Sequence, residues 1–200
     1  MDYPLRVILL LSARVLSYPE DSFFEDIDDI FNLFGSEASQ NMQEQLKEEI
    51  LPLHERTLPK LREIYVSTFD LKDKTGLYLT AHELGDSRKR GAAMIKLQKI
   101  INEAGFEREE EGELADFMPM LYEFLAVAEE NRYTERLIQR LAFATQRVRT
   151  QLNEDSLYMP IFDILMTYVF EVPTKEQIAD LESRREEADL DVMPYPLMYG

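Results

Sequence analysis

Apolar positions recur along this chain at intervals of three and four residues, the period of helices with one buried face. Pro4 stands where a first helical turn tolerates proline. Leu5, Ile8, Leu9, Ser12 and Leu16 follow on one face, and Pro19 marks the stop. Phe23, Ile27, Ile30 and Phe34 predict a second helix closed by Gly35. A third is expected from about Ser39 to Leu51, with Pro52 and Pro59 punctuating its exit. "LPKLREIYVSTFDL" continues helically and breaks near Thr68 to Lys74. "TGLYLTAHELG" is closed by Gly85, and a helix from Asp86 to about Ala104 is closed by Gly105.

That boundary sets Arg88, Lys89 and Arg90 in a first helical turn, where the partial positive charge of unpaired backbone N–H groups normally favours acids. "FEREEEGE" reads as a charged loop. Asp116 is expected to cap "FMPMLYEFLAVAEE" and Ser156 to cap "LYMPIFDILMTYVF". Between them Arg132, Arg136 and Arg140 form a basic ridge, with Leu137, Ile138, Leu141, Ala144 and Val148 on the buried face. "TKEQIADLESRREEA" is short and polar, and Pro194 and Pro196 forbid a regular helix near the end. Asn-Gly and Asp-Gly hairpin turns are absent. The reading is an all-α, single-domain bundle of about nine or ten helices over residues 1–190. An extended tail, 191–200, follows, its Met and Tyr residues either docked on the body or free.

Charge narrows the partners. The 200 residues carry a formal net charge of -17. Such a field repels phosphate backbones, which argues against nucleic acid, and attracts basic partners. The acids Asp21, Glu25, Asp26, Asp28 and Asp29 on the second helix read first as a solvated face and second as a docking surface. With no cysteine in the chain, disulfides, thiolate zinc sites and cysteine nucleophiles are excluded. Asp2, Arg6 and Arg14 around a short apolar run make the first segment a core helix rather than an export signal or a membrane span, so a cytoplasmic protein is expected.

Chemistry is sparse. His54 and His82 are the only histidines, and neither has a glutamate three positions upstream as a di-iron bundle requires. Gly-x-Ser-x-Gly, phosphate-loop and dinucleotide-binding patterns are all missing, so no enzymatic activity and no cofactor is expected.

Several ordered motifs occupy the middle of the chain. Tyr65, Val66, Thr68, Phe69 and Asp70 spell Tyr-Val-x-Thr-Phe-Asp, and Leu77 to Thr80 spell Leu-Tyr-Leu-Thr. Gly85, Asp86, Arg88, Arg90 and Gly91 spell Gly-Asp-x-Arg-x-Arg-Gly, and Ala104 and Gly105 follow. In these the chain resembles the nitrate reductase molybdenum cofactor assembly chaperones, the delta-subunit or NarJ family, related to the maturation chaperones of twin-arginine-exported redox enzymes. It departs from the family's Glu-Leu-Pro-Asp at Glu113-Leu114-Ala115-Asp116. The resemblance implies an all-α cytoplasmic chaperone without catalytic activity. Its client would be the apo catalytic (alpha) subunit of a respiratory nitrate reductase, bound through its N-terminal segment and held open for molybdenum cofactor and iron–sulfur insertion before membrane attachment. Another molybdoenzyme, of the dimethyl sulfoxide or trimethylamine N-oxide reductase type, is the rival client, and an acidic helical adaptor is the rival class.

Acidity and resemblance meet at peptide recognition, where a basic amphipathic client segment would lie in a groove between helices. The expected groove centres on Tyr65, Phe69, Tyr78 and His82, with Asp70, Asp86, Asp116 and Glu123 as acidic contacts. For each aromatic taken singly, a place in the core is the competing reading. Arg88 and Arg90 are expected either to brace the loop against acids such as Asp70 or Asp73 or to meet the client. A monomer is favoured over a dimer.

Overall fold

The computed structural model describes residues 1–34, 40–85, 87–106 and 112–179. Among them are ten α-helical stretches: α1 Tyr3–Val15, α2 Phe23–Leu33, α3 Gln40–His54, α4 Leu58–Tyr65, α5 Leu79–Leu84, α6 Arg90–Glu103, α7 Met118–Val127, α8 Arg132–Gln151, α9 Met159–Ile164 and a last one at 175–179. Five-residue π-helical turns, Val66–Asp70 and Leu165–Val169, prolong α4 and α9. No strand occurs among the described residues, only an isolated antiparallel bridge between Tyr78 and Phe117. The all-α architecture is the expected one. Gly35, the charged stretch 107–111 and the expected tail 191–200 lie outside the described residues.

α1 is the centre of the bundle. Val7, Ile8, Leu9, Leu11, Ser12, Ala13 and Val15 are all buried, so the helix is enclosed on more than one face. It packs most extensively on α7, then on α2. Its Arg6 donates through Nη1 to the carbonyls of Ala126 and Ala128 at 2.8 and 3.3 Å, satisfying the acceptors left open where α7 ends. Tyr65 of α4 donates its hydroxyl to Leu16 O at 3.2 Å and so ties α4 to the end of α1.

Boundaries move where local chemistry is weaker than tertiary contact. α3 runs past Pro52 to His54, since a proline in the last turn forfeits a single helical hydrogen bond. Pro59 opens α4 rather than closing the helix before it. α6 begins at Arg90, four residues later than expected, leaving Arg88 and Lys89 in the preceding turn. Only one of the three cations is therefore in the helix itself. Gly85 and Gly105, at φ 59° and 85°, do close their helices, in a backbone region that side chains with a Cβ avoid.

Candidate functional site

The site is built where three chain segments meet. Across the Tyr78–Phe117 bridge, Leu79 N donates to Asp116 O and Met118 N to Leu77 O, each at 2.8 Å. This holds the start of α5 beside the start of α7. Asp116 is wholly buried, and its Oδ2 accepts both the hydroxyl of Thr80 and, at 3.3 Å, the Thr80 backbone N–H. Asp116 thus caps α5, a helix remote in sequence, and not α7, whose N-cap is Phe117 without a side-chain cap. Arg90 completes the junction: its Nε donates to Thr80 Oγ1 at 3.2 Å, and its Nη2 lies 3.7 Å from Asp116 Oδ2.

α5 is held against α8 by a bidentate pair. Arg140 donates from Nε and Nη2 to the two oxygens of Glu83 at 2.6 and 2.7 Å. The expected basic ridge is therefore broken at Arg140, which faces inward. On the other side of α5, His82 is buried with Nε2 2.7 Å from Gly76 O, pinning the 71–77 loop. Burial lowers the pKa of the ring; the Gly76 carbonyl partly opposes that, and Arg147 and Arg90 add to it. The neutral ring donates its Nε2–H to Gly76.

These braces frame a groove of about 980 Å³ between α5, the 70–76 loop and the outer face of α8. Phe69, Asp70, Tyr78, His82 and Arg90 line it, five of the positions singled out in the sequence. Tyr65 lies behind this wall in an aromatic cluster, its ring 5.1 Å from Phe69, with Phe69 in turn 4.8 Å from Tyr158. Asp116 sits beneath the groove and offers it no exposed surface. Glu123 is exposed on α7 and Arg88 on the turn before α6, and neither lines the groove. Asp86 lies outside the described residues.

α8 supplies a wall that the sequence reading missed: Phe143, Gln146, Arg147 and Thr150. The signal was there. Phe143 is out of phase with the buried positions 137, 141, 144 and 148, so an aromatic stands on the polar side of an amphipathic helix. The groove also lacks the acidic rim expected from net charge. Lys72, Lys74, Arg90 and Arg147 line it against Asp70 and Asp73. Net charge sums the whole surface, and many of the acids lie elsewhere, as on the outer side of α2, where Glu25, Asp28 and Asp29 are exposed.

Near Tyr78 the sign does turn negative. Its hydroxyl donates to Glu113 Oε2 at 3.2 Å, and burial with the nearby Glu113 charge pushes the phenol up to about 12. Burial, followed by repulsion from Glu113, raises the Asp70 carboxyl above its ordinary value. Among the described residues no group of three or more His, Asp or Glu is arranged to hold a metal ion.

A family model described as nitrate reductase delta subunit matches residues 36–158, more than half of the chain. The chain belongs to the nitrate reductase delta subunit family. Within reach of this family, the chain is 26% identical over 164 residues to the "Probable nitrate reductase molybdenum cofactor assembly chaperone NarJ" of Bacillus subtilis (strain 168), covering 82% of this chain and 89% of that protein. It is 27% identical over 184 residues to the "Nitrate reductase molybdenum cofactor assembly chaperone NarJ" of Escherichia coli (strain K12), covering 86% and 75% respectively. A shorter similarity, 37% over 65 residues, relates it to the "Nitrate reductase-like protein NarX" of Mycobacterium tuberculosis (strain CDC 1551 / Oshkosh), covering 32% of this chain and 10% of that one. The groove-lining residues from Phe69 to Phe143, Gln146, Arg147, Thr150 and Gln151 all fall inside the family match.

Proposed function

We propose that this delta subunit family member is a non-catalytic assembly chaperone for nitrate reductase, acting in the cytoplasm as a monomer. It binds the N-terminal segment of the apo catalytic subunit in the groove between α5 and α8 and keeps that subunit open for molybdenum cofactor and iron–sulfur insertion before membrane attachment. The relatives' names support the chaperone role and its reductase client. The observation that carries the binding mode is the groove itself: an apolar strip from Phe69, Tyr78 and Phe143 under a rim of both charge signs. Such a surface suits the apolar face of an amphipathic segment whose polar flanks meet the rim. Among the described residues no helix is long and apolar enough to cross a membrane.

Calorimetric titration with a peptide from the N-terminus of the catalytic subunit of the same source, at low and moderate salt, tests the reading. Binding is expected, weakening with salt as rim charges are screened. Absence of binding at both salts by a sample that unfolds cooperatively would overturn it.

A further inference from the structure

The last described residues run along the edge of the groove. Pro173 and Ile178, both half-buried, line it together with Phe143 and Gln151 of α8. A reciprocal cap fixes this turn: Thr174 N donates to Gln177 Oε1 at 2.8 Å and Gln177 N to Thr174 Oγ1 at 3.2 Å, which starts the short helix at 175–179. The chain therefore leaves residue 179 at the rim of the groove, and residues 180–200 continue from there.

The composition of that segment complements the groove. From Asp180 to Asp191 it carries six acids against two cations, Arg184 and Arg185. Along the groove the balance is reversed, with Lys72, Lys74, Arg90 and Arg147 against Asp70 and Asp73. An apolar stretch, "LDVMPYPLMY", occupies positions 190–199. Pro194 and Pro196 bring no N–H groups that an apolar wall would leave unpaired. They also favour the extended left-handed backbone that docks on aromatic-lined grooves with little loss of entropy. Phe69, Tyr78 and Phe143 form such a lining. Reach is not limiting: the ten residues 180–189 span up to about 33 Å, whereas the α8 wall from Phe143 to Gln151 is about 12 Å long.

We propose that residues 190–199 fold back into the groove between α5 and α8 and cover it, the acids that precede them meeting its cations. Occupancy of the groove by the chain's own segment does not depend on a client. Only its consequence, competition with the catalytic-subunit peptide, rests on the peptide-binding reading above. A ten-residue tether sets a local concentration on the order of 1 mM. A contact with a Kd of about 0.5 mM then fills the groove about two-thirds of the time and weakens a competing peptide about threefold.

The chain contains no tryptophan, so Phe143→Trp sets a single reporter in the groove wall; Val127→Trp, at an exposed position of α7 outside the groove, sets a control. Each is made in the full chain and again together with Tyr195→Ser/Leu197→Ser/Tyr199→Ser. The triple substitution is expected to raise acrylamide quenching of the reporter at 143 about twofold, to leave the reporter at 127 unchanged and to keep the melting temperature. Unchanged quenching at 143, an equal rise at both reporters, or a rise accompanied by a lower melting temperature would each overturn the inference, the last because the segment would then belong to the core. Shielding that grows with protein concentration would overturn it too, since a second copy would then supply the segment. Titration with the native catalytic-subunit peptide separates the two readings, and the triple variant is expected to bind it about threefold more tightly. Equal binding to both chains with unchanged quenching removes the occupant and leaves the functional reading standing. A rise in quenching at 143 alone, with no peptide bound by either chain, upholds the occupant and overturns the functional reading.

Discussion

The Asp116 carboxylate accepts the hydroxyl of Thr80, thirty-six positions earlier, and with it the first turn of α5. Because Asp116 is wholly buried, removing it strands the Thr80 hydroxyl, a backbone N–H and part of the charge balance of Arg90. Asp116→Ala is expected to destabilise the chain by about 2–4 kcal/mol, the range for breaking a buried charged hydrogen-bond network. Arg90→Ala, at a half-exposed and longer contact, is expected to cost only about 1 kcal/mol. Urea unfolding of both variants measures the ratio, and equal losses would show that Arg90 contributes as much to the junction as Asp116 does.

Two buried tyrosines should answer differently to loss of the hydroxyl. Tyr122 shares a 2.7 Å hydrogen bond with Thr145, whereas the Tyr158 hydroxyl has no partner among the described residues. Tyr122→Phe leaves the Thr145 hydroxyl unpaired and is expected to cost about 1–2 kcal/mol. Tyr158→Phe removes an unsatisfied buried group and is expected to be neutral or to stabilise by up to about 1 kcal/mol. Thermal melts of the two single variants are sufficient; a clear loss with Tyr158→Phe would mean that its hydroxyl has a partner.

Stability should fall on mild acidification through His82. Its folded pKa is depressed, so as pH drops below the ordinary histidine value the unfolded chain takes up a proton before the folded one does. The contribution is fully present above about pH 6.5 and is lost progressively as pH falls towards the folded value. His82→Gln retains a donor for the Gly76 carbonyl and should flatten this part of the profile. Asp70, raised in the folded chain, works in the opposite sense nearer the carboxylate range, where its uptake of a proton favours folding. Denaturant midpoints measured from pH 7.5 to 5 for the parent chain and His82→Gln check the sign.

Client binding and folding should separate at two phenylalanines of the same groove. Phe69 packs on Tyr65, Tyr158 and Phe162, so Phe69→Ala should cost about 3–5 kcal/mol of stability. Phe143 is only half-buried and lies outside the core cluster. Phe143→Ser should shift the melting temperature little and weaken the catalytic-subunit peptide by about tenfold or more, as truncation of an interface anchor does. Unchanged affinity in Phe143→Ser would remove α8 from the binding wall.

Much of the fold was legible because burial follows period. The buried faces of α1, α2 and α8 lie where the apolar spacing puts them, and Gly85 and Gly105 end their helices because a positive φ is open to glycine. Asp116 was misassigned because spacing offers a carboxylate only its own helix, while the fold supplied the N–H of Thr80 from another. Arg140 was read as ridge for the same reason, its partner Glu83 being fifty-seven residues away. The cations before α6 looked anomalous only while the helix was assumed to begin at Asp86. With Arg90 facing Asp116, much of the unfavourable interaction with the helix end is offset. Of the groove, the loop and α5 wall could be located from motifs, but the sign of its rim could not, since total charge carries no positional information.

α1 carries a consequence for any attempt to trim the protein. The family match covers residues 36–158, yet α7, inside that stretch, packs most extensively on α1, at 3–15. A fragment cut to the matched bounds would present α7 with an open hydrophobic trough where Ile8, Leu9 and Leu11 had been, and would discard the Arg6 guanidinium that finishes α7. The smallest unit able to fold is thus wider than the stretch by which the family is identified, because the part that carries the recognisable motifs is wrapped around a part that does not.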